Sequence, residues 1–151
     1  MKILFFIFFL SVFFVKNEPA WIEIAKSNMY RFSFDKNNIK KLDSSIITIW
    51  IKEVPLPESF NEVKIGKMKE NRAAAGYDEL MKPKYNFYGF ESYGFAILRE
   101  EINCVNEQYR ILKTIEYDLN GEVLKDSEEQ TKWAMIIPGT GQRVILDSLC
   151  R

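Results

Sequence analysis

The stretch that decides the fold is residues 104–150, CVNEQYRILKTIEYDLNGEVLKDSEEQTKWAMIIPGTGQRVILDSLC. It starts and ends with the only two cysteines of the chain. In an exported protein two cysteines can satisfy each other, so we expect a disulfide between Cys104 and Cys150. Two buried free thiols that act as small apolar side chains are the alternative. A bridge that closes about 46 residues would stabilise the fold by roughly 4 kcal/mol, because it restricts the unfolded chain.

Inside this stretch the sequence predicts a hairpin and a final strand. Apolar and polar side chains alternate from Glu107 to Asp118, which is typical of a half-buried strand. Asn120-Gly121 then predicts a tight turn, because both residues tolerate positive φ, and residues 122–125 return along the first strand. Residues 133–137 form the last predicted strand.

A C-terminal helix is predicted after Gly139, with Thr140 as its N-cap. Its apolar residues crowd one side, and Cys150 follows Leu146 by four residues, which places the cysteine on the buried stripe. We therefore expect a helix that lies on the sheet and is tied by its last turn to the strand end at Cys104. The residues of the stripe are Val144, Ile145, Leu146 and Leu149.

The rest of the chain adds strands and one further helix. Ile46 to Lys52 is the strongest β segment, and the stretch from Pro55 to Ile65 is predicted to be a loop because proline cannot donate to a ladder. Helix formers from Lys67 to Lys82 predict a helix that Pro83 ends and Gly76 weakens. The other predicted strands are residues 21–25, 30–35, 39–42 and 95–102.

Two clusters are candidate binding residues. The aromatic cluster is expected to be buried under the mid-chain helix, and a surface that grips a ligand is the alternative. The basic cluster is expected to be solvated among acidic neighbours, and an ionic contact to an acidic protein or polysaccharide is its alternative. The candidates are Tyr85, Phe87, Tyr88 and Phe90 in the first cluster and Lys64, Lys67, Lys69 and Arg72 in the second.

Charge and composition predict an exported chain with no nucleic-acid partner. Basic and acidic residues number 21 each, so no net field attracts a polyanion. The apolar run Ile3 to Val15 follows Lys2, and as a helix of about 20 Å it is short of the roughly 30 Å of a bilayer. We expect residues 1–20 to be a signal peptide and 21–151 to be one domain with no stable membrane anchor. The expected locations are the periplasm, the medium or the cell surface.

Catalysis is not expected. The chain has no histidine, which removes the usual general base and the His-containing nucleophile pairs and zinc sites. Adjacent carboxylates such as Glu100-Glu101 point to opposite faces of a strand, whereas an acid/base pair must face one cleft. A carboxylate-dependent hydrolase is therefore the weakest hypothesis. No phosphate-binding or calcium-binding loop is present in the sequence.

The exported part resembles the bacterial surface-adhesin protein E family. The resemblance rests on Trp21-Ile22, Ile-Trp-Ile-Lys at 49–52, Cys104 with Tyr109-Arg110, Tyr117-Asp118, Trp133 with Ile136, Pro138-Gly139-Thr140 and Cys150. It implies an antiparallel sheet with a C-terminal helix fastened by a disulfide, packing roles for Trp21, Trp50 and Trp133, and binding of host matrix and plasma proteins and of haem. No ligand-binding position transfers, and without histidine we expect no cofactor.

These observations give an α+β fold. We expect a small antiparallel sheet of about six strands, a C-terminal helix packed on it and tied by a disulfide, and one helix inserted mid-chain. The expected function is that of a non-catalytic exported binding module whose partner is an extracellular or envelope protein. A periplasmic accessory protein of the same fold, with no host ligand, is the alternative.

Overall fold

The computed structural model describes residues 18–74 and 90–150, and for residues 72–74 the backbone alone. This part of the chain is an α+β fold with one antiparallel sheet and two α-helices. The strands are β1 (Trp21–Lys26), β2 (Tyr30–Asp35), β3 (Lys40–Lys41), β4 (Ile46–Pro55), β5 (Tyr93–Asn103), β6 (Gln108–Asp118), β7 (Val123–Ser127) and β8 (Ala134–Met135); the helices are α1 (Phe60–Ala74) and α2 (Gly141–Leu149).

The sheet is a meander with the order β1-β2-β4-β5-β6-β7. Two strands of two residues lie off this path, since β3 pairs with β4 and β8 pairs with β6. All pairs are antiparallel. The prediction of about six strands is confirmed for the meander, and the two short strands bring the sheet to eight.

The β6–β7 hairpin turns where the sequence predicts it. Gly121 has φ +86°, which only glycine adopts readily. The carboxylate of Asp118 accepts hydrogen bonds from the backbone N–H groups of Asn120 and Glu122, both at 2.8 Å. These bonds, that from Glu122 first, hold the pKa of Asp118 below its usual value. Turn conformation and side-chain bonding therefore favour the same register.

One face of the sheet carries the core, and α2 covers it. Ile145 and Leu146 of α2 are 1% and 4% exposed and join the cluster that β2, β4 and β5 supply. The predicted N-cap is confirmed, because the side chain of Thr140 accepts from the backbone N–H of Arg143. Val144, which the pattern placed on the buried stripe, is 36% exposed, since the helix is short and presents only two buried apolar residues to the sheet. The strand residues of the core are Phe32, Phe34, Ile47, Ile49, Ile51 and Ile102.

The mid-chain helix, α1, begins earlier than predicted. Residues 60–65 are the first turns of α1, so the predicted loop up to Ile65 is wrong. Ser59 fixes the start: its hydroxyl donates to the Met29 carbonyl at 2.7 Å, and its own carbonyl accepts the bond from the Val63 N–H at 3.0 Å. Val63 is 3% exposed, so burial of this first turn stabilises it. The predicted helix end at 75–82 lies outside the described residues.

Both helices lie on the same face of the sheet. Glu53, Ala96 and Glu116 are paired across β4, β5 and β6, and Phe32 of the core is paired with Glu53, so the four side chains point to one side. The Nζ of Lys67 in α1 lies 2.8 Å from the Oε1 of Glu116. Among the described residues, no helix packs against the opposite face.

The predicted disulfide is confirmed. Cys104, just after β5, is bonded to Cys150 at the end of α2, with a Cα–Cα distance of 5.4 Å. The bridge joins residues 46 apart in sequence, and both cysteines pack against the core under α2. The free-thiol alternative is therefore wrong.

Candidate binding surface

The face of the sheet opposite the helices is a mixed aromatic and basic surface, which we call the open face. Its residues alternate with the core residues of the same strands, which is why each strand contributes two or three of them. Their register holds them together, since residues paired across antiparallel strands point to the same side. The pairs are Trp50 with Arg99, Lys52 with Ile97, Ile97 with Ile115, and Phe95 with Tyr117.

The aromatic part of the open face is ordered by its own contacts. The rings of Phe95 and Tyr117 are stacked, with centroids 4.7 Å apart and an angle of 14° between their planes. The Nζ of Lys52 lies 4.2 Å from the Phe95 centroid, a distance at which a cation is attracted to the ring. All three side chains, like Trp50, are half-buried.

The open face carries positive charge that the described residues do not neutralise. Arg99 is exposed, and the ion pairs found within residues 18–74 and 90–150 involve neither Arg99 nor Lys52. The two cations on the β6 side of the open face are neutralised by ion pairs. Lys113 lies 2.9 Å from Asp126, and Arg110 lies 2.6 Å from Glu101. The surplus charge is thus concentrated beside the aromatic rings.

The two adjacent glutamates of β5 lie on different faces, as expected. Glu101 is on the open side and accepts from Arg110, which also lies 4.7 Å from the Trp133 ring. Glu100 is on the helix-covered side, 0% exposed, where its Oε1 accepts from the Nε2 of Gln142 at 3.4 Å. The adjacent pair therefore does not face one cleft.

Sequence reasoning missed a different pair of carboxylates. Glu53 of β4 and Glu100 share the covered face although they are far apart in sequence. Burial, and next the charge of Glu53, raise the pKa of Glu100 to about 8. Burial also raises the pKa of Glu53 to about 7, against the opposing effect of Lys67. The sequence places each of them in line with apolar neighbours two residues away, but only the strand register brings the two together.

The predicted basic cluster is only partly a free surface. Lys67 is bound to Glu116 and lies 3.5 Å from Glu70, so its charge is compensated. Lys69 is exposed and Lys64 is half-buried. The side chain of Arg72 lies outside the described residues. The ionic contact that was the alternative for this cluster therefore stays a hypothesis, and among the described side chains Lys64 and Lys69 could carry it.

The aromatic cluster is mostly outside the described residues, since Tyr85, Phe87 and Tyr88 fall in 75–89. Phe90 is described, and it is 5% exposed. It packs with Val63 of α1 and with Tyr93, so its ring belongs to the core rather than to a surface. For Phe90 this agrees with the burial that the sequence favours.

Two further findings concern metal binding and membrane-spanning helices. Within residues 18–74 and 90–150, no three Cys, Asp or Glu side chains converge to hold a metal ion. In the same ranges neither helix is both long and apolar enough to cross a membrane.

The fold defines a class, that of small α+β domains tied by a disulfide. The chain belongs to the surface-adhesin protein E family, whose model matches residues 21–151. No curated protein matches the chain. Membership supports a surface adhesin-like binding role and implies a protein that is exported or associated with the cell surface.

Proposed function

We propose that this chain is an exported, non-catalytic binding module whose open face binds a protein. The observation that carries the proposal is the cluster of Trp50, Phe95 and Tyr117 beside Lys52 and Arg99 on a sheet face that no described helix covers. Aromatic residues and arginine are enriched in protein interfaces and supply most of their hot spots. Family membership supports the same role.

The charge of the open face indicates the chemistry of the partner. Lys52 and Arg99 lack carboxylate partners among the described residues, so a partner that presents carboxylates next to apolar side chains would satisfy both parts of the surface. Arg99 can also bind a carboxylate with two parallel hydrogen bonds, which a lysine cannot. The proposed partner is therefore an acidic segment of an extracellular or envelope protein.

Binding of the purified oxidised protein to immobilised extracellular-matrix proteins, measured by biolayer interferometry, tests this proposal. Arg99→Glu should weaken binding at least tenfold, because it places a negative charge opposite an acidic partner. Trp50→Ala should weaken it by a similar factor through lost contact area. Lys41→Glu is the matched control, since Lys41 is exposed and is paired with Ile47, whose side chain lies on the helix-covered side.

The same binding measurement distinguishes the open face from the basic cluster on α1. If the double variant Lys64→Glu/Lys69→Glu abolishes binding and Arg99→Glu does not, the predicted cluster on α1 is the site and the open-face proposal is wrong. Absence of saturable binding to every matrix protein would reject the adhesin role.

Export is part of the proposal and has its own test. We propose that residues 1–20 are removed as a signal peptide, so the N-terminus of the mature protein should lie at or near Trp21. Fractionation with N-terminal sequencing measures both location and cut. Protein confined to the periplasm after gentle spheroplasting would favour the accessory-protein alternative over adhesion.

A further inference from the structure

A polar cavity opens on the other side of the molecule from the open face, between α1 and the outer edge of β6. Its volume is about 320 Å³, at the lower end of the roughly 300–1,000 Å³ typical of small-ligand sites. It forms where the edge strand is interrupted. β7 ends at Ser127, and the chain returns to β6 at Thr131, whose N–H donates to the Ile111 carbonyl at 2.9 Å while its Oγ1 accepts from the Ile111 N–H. Residues 128–130 leave the sheet between these points.

The uncharged lining is made of hydroxyl and amide groups. These side chains both donate and accept hydrogen bonds, so they match a ligand that does the same. They come from four separate parts of the chain, so the polar groups are not confined to one strand or helix. They are Asn71 of α1, Thr114 of β6, Ser127 of β7, and Gln130 and Thr131 of the returning segment.

The charged lining is nearly balanced. At the base, Lys67 is bound to Glu116, whose side chain is 6% exposed, and to Glu70. Lys125 and Glu129, of opposite sign, complete the charged lining. A charged ligand of either sign would meet a like charge, whereas an uncharged ligand can accept from the ammonium groups and donate to the carboxylates.

We propose that this cavity binds a neutral carbohydrate, as a single sugar ring or as the end of a glycan chain. A sugar ring carries hydroxyl groups around its whole circumference, which is the pattern that a ring of amide, hydroxyl and ion-paired groups recognises. The cavity has room for about ten water molecules at liquid density, which is enough for one ring with ordered water around it. The site is separate from the open face and does not depend on the proposed protein partner.

Saturation-transfer difference NMR on the oxidised full-length mature protein tests the proposal, with glucose, galactose and N-acetylglucosamine as probes. Glucuronic acid and glucosamine serve as charged comparators. We expect saturable binding of at least one neutral sugar and weaker binding of its charged counterpart. Thr114→Val should weaken that binding about tenfold, because one hydrogen-bonding group is lost while the β-branched shape suits the strand.

Thr48→Val is the matched control, since it makes the same change in the same sheet on the open side of β4 and should leave sugar binding unchanged. Circular dichroism must show that both variants fold. No saturable binding of any neutral sugar, tighter binding of a charged sugar, or equal losses in Thr114→Val and Thr48→Val would each overturn the proposal.

Discussion

The Nε2 of Gln142 lies 3.4 Å from the Oε1 of Glu100, so the first turn of α2 contacts a carboxyl group that has no exposed surface. The second oxygen of Glu100 has no hydrogen-bond partner among the described residues. A buried carboxylate with so little compensation is destabilised when charged. The packing of α2 on the sheet should therefore depend on the protonation state of Glu100.

The first prediction is that stability falls as the pH rises from about 5 to 8. The pKa of Glu100 is raised from 4.5 to about 8 in the folded protein, so the unfolded chain loses its proton first. The folded state is then penalised, with the full stabilisation present below pH 4.5 and lost as the pH rises through 8. Glu100→Gln removes this penalty and should be more stable than the parent by a few kcal/mol at pH 9, and nearly equal to it at pH 4.

Urea unfolding at the two pH values measures this difference. Glu91→Gln is the control, because it makes the same substitution at an exposed position. A Glu100→Gln variant that keeps the pH dependence of the parent would contradict the assignment to Glu100.

The second prediction concerns two glycines. A Cβ added to Gly94 would lie 2.6 Å from the backbone oxygen of Asp118, and backbone cannot move aside as a side chain can. Gly94→Ala should therefore destabilise the protein by roughly 1–3 kcal/mol. Gly66→Ala is the matched control on α1: nothing lies within 4 Å of its added Cβ, and it should stabilise by about 0.5–1 kcal/mol. Chemical unfolding measures the free energy of unfolding of both variants. Equal changes would show that the steric contact at Gly94 does not matter.

The sequence predicts those parts of the fold that local chemistry determines. The turn at Asn120-Gly121, the N-cap at Thr140 and the bridge from Cys104 to Cys150 each depend on a few neighbouring residues or on the cysteine count, and all three are confirmed. The start of α1 was not predictable in this way. Its first turn is held by the bond from Ser59 to Met29, which is 30 residues away in sequence.

The candidate surface is less accessible to sequence reasoning. β4 and β5 carry apolar residues on both faces, so alternation alone does not show which face the helices cover. Only the register reveals that Trp50 and Arg99 lie together on the open face, and that Glu53 and Glu100 share the other. Aromatic content alone does not distinguish packing from recognition, and the burial that the sequence favours is seen for Phe90 in its 5% exposure.

The third prediction is that reduction of the bridge loosens α2. Reduction of the oxidised protein should lower its free energy of unfolding by roughly 4 kcal/mol. Because each kcal/mol corresponds to about 2–8 °C in melting temperature, the melting temperature should fall by about 10 °C or more. Differential scanning calorimetry with and without reductant measures the shift. The double variant Cys104→Ala/Cys150→Ala controls for the reductant itself and should not respond to it. A reduced protein that melts within a degree or two of the oxidised one would mean that the bridge does not stabilise the fold.

The fourth prediction is that Lys67 and Glu116 are strongly coupled. Burial is the largest single effect and opposes the charge on Lys67, yet the hydrogen bond and charge of Glu116, together with the charges of Glu70 and Tyr30, outweigh it, so the pKa of Lys67 lies above its usual value. Because the Glu116 side chain is 6% exposed, Lys67→Met should leave a buried unpaired carboxylate and destabilise by about 3–5 kcal/mol. The double variant Lys67→Met/Glu116→Leu replaces both charges and should recover most of that loss. Urea unfolding of the parent, Lys67→Met, Glu116→Leu and the double variant gives the coupling energy, which we expect to exceed about 1 kcal/mol. The Lys113–Asp126 pair, with Asp126 half-exposed, should give a smaller coupling energy. Equal coupling in the two pairs would show that burial does not strengthen the Lys67–Glu116 contact.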